Sequence, residues 1–267
     1  MASNRRIPSR TTEEAQRGKR MFSSLQSALG GPNVRPSRGN VKKVESTSSH
    51  RLSCDDLMKE LAKLNSDSSD VSFSDLSTFL KESVPHLSEE EVQEVAALLC
   101  ESALLNGNHH IVADLIVATI HIASLREYIA MQIEEVVPKF FFDPDTKYSN
   151  LPEFFGQLLV ARYPRPHNRS TDASNPILFT VISAVKGWIA TLSSEEEEDE
   201  MKERCAFGVV GLCRSPKRRL WLCWPELVDE IYAGIEEVLI GSTQMSKEAK
   251  KELLRLFTQI NSWPNSR

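Results

Sequence analysis

Apolar positions recur every three to four residues along most of the chain, and that period predicts helices. In Ser53–Leu64 the leucines Leu57, Leu61 and Leu64 share one face, with Asp55 and Asp56 at the positive end of the helix dipole. Phe73, Leu76, Phe79 and Leu80 form the next stripe, over 73–84. Ser88 followed by Glu91 is a capping box, which starts a helix running to Leu105. Asn106-Gly107-Asn108 ends that helix and caps the next, HHIVADLIVATIHIASL, which is apolar on nearly every side and is predicted as a single buried central helix.

The series continues with REYIAMQIEEVVPKFFF, predicted to kink at Pro138, and LPEFFGQLLVARY (151–163), closed by Pro164 and Pro166. A polar loop over 165–174 leads to Asn175-Pro176, an N-cap followed by a proline in the first turn. ILFTVISAVKGWIATL follows. Ser194 then precedes six acids, Glu195–Glu200, expected in the first turns of a helix reaching about Cys213. Pro225–Ile240 and Ser246–Trp263 complete the series.

About nine or ten helices with short connections and no convincing strand predict an all-α fold. Consecutive antiparallel hairpins suggest a HEAT-like α-solenoid, and the lack of a strict period argues against tetratricopeptide or ankyrin repeats. Residues 51–267 form this helical-repeat domain. Residues 1–50 hold only isolated apolar side chains among Arg, Ser, Gly, Pro and Asn, which predicts a disordered tail. Within it, Met21, Phe22, Leu25 and Leu29 would make a short helix only against a partner.

Charge separates the two parts. The chain's net charge is −5, yet residues 1–48 hold ten Lys or Arg against three acids, which is +7 and leaves −12 for the rest. Arg5, Arg6, Arg10, Arg17, Lys19 and Arg20 can contact RNA phosphates, with strong salt dependence. A solubilising or import-type tail explains the same charge. The acidic run at 195–200 reads as a solvated helix start.

Candidate chemistry is sparse. His109, His110 and His121 lack the carboxylate that would complete a metal-binding helix motif, so they read as capping or packed histidines. Cys205, Cys213 and Cys223 lack the close-spaced pair of a zinc site and read as small core residues. Five cysteines without framework spacing imply reduced thiols. No glycine-rich phosphate loop and no nucleophile elbow occurs. The expectation is a non-enzymatic protein with no cofactor and no metal. The start lacks a hydrophobic signal core and no uncharged apolar run is long enough to span a bilayer. A cytoplasmic and also nuclear location is therefore expected, with no membrane partner.

CRSPKRRLWLCWPEL (213–227) gathers Arg214, Lys217, Arg218 and Arg219 at the joint between two helices. These four are expected to stand in water as a positive knob that holds RNA or an acidic peptide, or else as a plain solvated turn. Leu220, Leu222, Cys223 and one tryptophan are expected to pack inward. Ser215-Pro216-Lys217-Arg218 also fits a proline-directed kinase site at Ser215.

The C-terminal stretches ELVDEIYAGIEEVLIG and SKEAKKELLRLFTQINSW resemble the closing helix pair of the MIF4G family, the middle domain of translation initiation factor 4G. Glu226–Ile240, Ser246, Leu253, Leu254, Phe257 and Trp263 carry the likeness. LPEFFGQLLVARY and NPILFTVISAVKGW are similar to the family's central helices, with a phenylalanine-glycine step at Phe155-Gly156. Thr258–Asn261 departs from the pattern, because the usual acidic and arginine residues are absent. The resemblance implies a small single-domain member: an adaptor in mRNA translation or metabolism that binds translation initiation factors, mRNA-binding proteins, a DEAD-box helicase or RNA. Some members form homodimers, so the same is open here. The cap-binding-protein motif fails at Tyr128, Tyr148, Tyr163 and Tyr232. The alternative is an unrelated HEAT or armadillo-type adaptor in transport or signalling.

Overall fold

The computed structural model describes residues 59, 73–142, 148–241 and 245–265, all within the unit Ser49–Arg267. The predicted tail and nearly all of the 53–64 helix lie outside these residues; of the latter only Lys59 is described, and it is helical.

Ten helices of six residues or more follow one another with no strand among the described residues: α1 (Phe73–Ser83), α2 (Glu89–Leu105), α3 (His109–Thr119), α4 (Ala123–Phe142), α5 (Leu151–Val160), α6 (Pro176–Ser193), α7 (Asp199–Arg214), α8 (Arg218–Cys223), α9 (Pro225–Ile240) and α10 (Lys247–Ser262). Short 3₁₀ turns at Val84–His86 and Trp263–Asn265 complete the path.

The helices stack in two layers. In one, α1 packs on α3, α3 on α5, α5 on α7 and α7 on α10; in the other, α2 packs on α4, α4 on α6 and α6 on α9. Pairs such as α2–α3, α6–α7 and α9–α10 connect the layers. This is the expected all-α stack of antiparallel hairpins, in which each pair buries its apolar face against its neighbours. The core runs the length of the stack, from Leu76 and Leu80 through Leu115 and Ile116 to Val228, Leu253 and Leu256. At its centre Trp188 stacks on Phe155, with ring centroids 5.5 Å apart, and meets Phe140 and Phe141 on other sides.

Several helix starts follow their local chemistry. Ser88 Oγ accepts from Glu91 N and Glu91 Oε2 accepts from Ser88 N, closing the predicted box. Asn175 Oδ1 accepts from Leu178 N at 3.1 Å, and Ser246 Oγ accepts from Ala249 N at 3.2 Å. Asn108 makes no side-chain cap on α3; its amide donates instead to Ser102 Oγ. The turn it closes depends on Gly107, at φ +72°.

Elsewhere the structure corrects the sequence reading. The run 109–125 is two helices, because the chain turns at Ile120–Ile122. Thr119 Oγ1 donates to Leu115 O, and the amides of Ile120 and Ile122 bond back three residues to Val117 and Thr119. Pro138, the expected kink position, falls within α4, and the helix continues past it to Phe142. The run of acids falls mostly before its helix: α7 begins at Asp199, with Glu198 as N-cap and Glu195–Glu197 in a bend. Like charges in one turn repel, and only the last of the run gain from the dipole. By length and composition α6 could cross a bilayer. In the fold it lies against α4, α7 and α9 with Ile177, Val181, Val185 and Trp188 buried.

Candidate functional site

The basic joint is built on the C-terminal end of α5. That helix stops at Val160, three residues before the expected Tyr163, with Ala161 already extended. Its last carbonyls are taken by side chains from the joint: Trp224 Nε1 donates to Leu159 O at 2.6 Å, and Arg219 Nη2 donates to Val160 O at 3.1 Å. Carbonyls at a helix end carry partial negative charge and need donors, so an indole N–H and a guanidinium suit that position.

Close helix packing places the joint there. Gly156 on α5 faces Leu212 O on α7 so closely that a Cβ would lie 2.4 Å from it, and 3.2 Å from the Pro216 ring. Gly211 on α7 faces Pro152 in the same way, at 2.9 Å. Two glycines on opposing helices let the backbones approach, and α7 then delivers its C-terminus to the end of α5.

The four cations are therefore not equivalent. Arg214 is 69% exposed but is held by Glu153, Nη1 to Oε1 at 2.7 Å. The other oxygen of Glu153 lies 3.7 Å from His109 Nε2, so one carboxylate links α3, α5 and α7. Burial lowers the His109 pKa, Glu153 opposes that shift, and His110 adds to it. Arg219 caps α5. Arg218 is half-buried, with its Nε shielded from solvent and without a hydrogen-bond partner. Lys217 is exposed, with φ +43° and ψ −125°. This is the glycine position of a type II′ turn, where a Cβ is strained. The expectation that all four stand in water is thus corrected for Arg218 alone; Arg219 is exposed while one of its nitrogens caps α5, and Arg214 projects while anchored.

The apolar residues of the joint divide differently from the sequence reading. Leu220 is fully buried. Leu222 is 60% exposed and Cys223 is exposed, because α8 is a short helix lying on α5 and α9 with its far side open. Trp221 and Trp224 are both half-buried. The remaining described cysteines, Cys100, Cys205 and Cys213, are buried, and desolvation pushes each thiol up to about 12.

Ser215 Oγ accepts from Gln157 Nε2 at 2.6 Å, and Pro216 is buried against Gly156. A kinase that reads Ser-Pro in an extended segment needs this turn to open first. Arg5, Arg6, Arg10, Arg17, Lys19 and Arg20 lie outside the described residues. Among the described residues no three His, Cys, Asp or Glu are placed to hold a metal ion.

The cations are plain in the sequence, but what holds them is not: Glu153, Gln157, the Trp224 indole and the paired glycines. Only the Phe155-Gly156 step hinted at close helix approach.

A family model described as "Repeat of unknown function (DUF7627)" matches residues 57–267. No curated protein and no solved structure matches the chain.

Proposed function

We propose that this chain, which belongs to the DUF7627 family of repeats of unknown function, is a non-enzymatic adaptor that uses the cationic α7–α8 turn to contact RNA or an acidic partner in mRNA translation or metabolism. The observation that carries the site is Lys217. The backbone there favours glycine, yet the chain keeps a long cation, exposed beside Arg218 and Arg214. Strain of this kind costs about 1–3 kcal/mol and tends to persist where the side chain has work to do. The stacked hairpins supply a rigid frame for it. The place in mRNA metabolism rests on the MIF4G resemblance of α9 and α10, with initiation factors and mRNA-binding proteins as the partners and the cytoplasm, and also the nucleus, as the setting.

Lys217→Gly tests the site. It should raise stability by about 1 kcal/mol by relieving the backbone. It should also weaken binding of a labelled single-stranded RNA, or of an acidic peptide, to the full chain. Unchanged binding of both probes by Lys217→Gly and by Arg218→Ser overturns the assignment of the turn. Affinity capture from cell extract, with and without nuclease, tests the setting. Recovery of no initiation factor, helicase or mRNA-binding protein removes that part of the reading.

A further inference from the structure

A second surface, built on α2 and α4 toward the N-terminal end of the stack, has the opposite charge. The 3₁₀ turn Val84–His86 and the first turns of α2 face α4 across an open groove of about 440 Å³. Its floor is apolar: Val84 and Val92 lie beneath Pro85, Leu87 and Met131, and Met131 is 50% exposed. Methionine in such a position is a flexible, polarisable contact able to adapt to an incoming side chain.

The rim is acidic. Glu89 and Glu127 line the groove, and Glu90 borders the adjoining hollow with Gln93 and Tyr128. Tyr128 on α4 donates its hydroxyl to Glu89 Oε1 at 2.6 Å, which joins the two walls. Glu90 and Glu127 are exposed, and neither forms a salt bridge among the described residues. An apolar floor between unpaired carboxylates complements a segment with apolar anchors beside cations. An anionic partner such as RNA would meet repulsion from the same rim.

We propose that this groove docks a peptide segment of a partner protein that carries apolar side chains flanked by arginine or lysine. The site is independent of the α7–α8 turn, and together the two surfaces would let one chain hold two partners of opposite charge. Leucine or phenylalanine side chains of the partner cover Leu87 and Met131, and its cations pair with Glu90 and Glu127. Glu89 holds Tyr128 and shapes the wall.

The test uses the full chain and a short labelled peptide with a leucine and a phenylalanine one helical turn apart between pairs of arginines, read by fluorescence polarisation. The control peptide has glutamates in place of the arginines. The arginine peptide should bind and the glutamate peptide should not. Glu90→Gln combined with Glu127→Gln should weaken binding by about five- to tenfold, as expected for two solvent-facing ion pairs. Met131→Ser should cost about tenfold through lost apolar contact. Because these side chains are exposed, the variants should melt with the parent; Arg218→Ser should leave peptide binding unchanged. Equal binding of both peptides, equal binding by the groove variants, or preferential binding of labelled RNA at Met131 overturns the proposal.

Discussion

Gly156 and Gly187 are both inside helices, and the structure assigns opposite signs to the same substitution at each. In α6, a Cβ at Gly187 would meet nothing within 4 Å. Gly187→Ala therefore keeps the full helix-propensity gain of about 1 kcal/mol. In α5, a Cβ at Gly156 would lie 2.4 Å from Leu212 O, an atom of another helix's backbone that no rotamer change can move. Overpacking costs typically about 1–3 kcal/mol, and a fixed backbone neighbour puts this site at the upper end. Subtracting the propensity gain leaves a net loss of about 2 kcal/mol for Gly156→Ala. At about 2–4 °C per kcal/mol for a domain of this size, Tm should fall by roughly 4–8 °C, while Gly187→Ala raises it by roughly 2–4 °C. Thermal and urea unfolding followed by circular dichroism measure both. If Gly156→Ala proves as stable as the parent, the close α5–α7 crossing that positions the cationic turn is wrong.

Asn175 is fully buried, caps α6 and donates to His167 O at 2.9 Å, so Asn175→Ala should cost about 2 kcal/mol in urea unfolding and speed hydrogen exchange in the 165–174 loop. Trp224→Phe should lose about 1 kcal/mol by leaving Leu159 O without its indole donor, whereas Arg214→Ala should cost under about 1 kcal/mol because its ion pair is exposed; chemical denaturation separates them. With thiol-reactive dye in native buffer, Cys223 should label quickly, and Cys100, Cys205 and Cys213 only after denaturant is added, as peptide mapping would show. Those three thiols hold their protons to about pH 12 when folded but ionise near pH 9 when unfolded, so the unfolded state loses protons first. Stability should fall as pH rises from about 9 toward 12; a flat alkaline profile refutes their burial.

Much of the fold was legible because helices are local objects. The Ser88–Glu91 box, the Asn175-Pro176 start and the Ser246 cap each satisfy orphan amides with side chains a few residues away, so sequence spacing alone locates them. The apolar period likewise marks which face turns inward. Helix ends set by distant groups were not legible. α5 ends at Val160 because Trp224 and Arg219, about sixty positions away in the chain, take its last carbonyls. The break between α3 and α4 was hidden because Ile120 and Ile122 are apolar and buried like their helical neighbours.

For the candidate site, the sequence determined composition: four cations, two tryptophans and two cysteines within fifteen positions. Tertiary structure decided their roles. It turned Arg219 into a helix cap, tied Arg214 to Glu153, held Ser215 on Gln157, left Leu222 and Cys223 open, and placed Lys217 where glycine would rest more easily. Charge and hydrophobicity are properties each residue carries alone, whereas the partner that satisfies or strains it comes from another helix, and only packing brings that helix within reach.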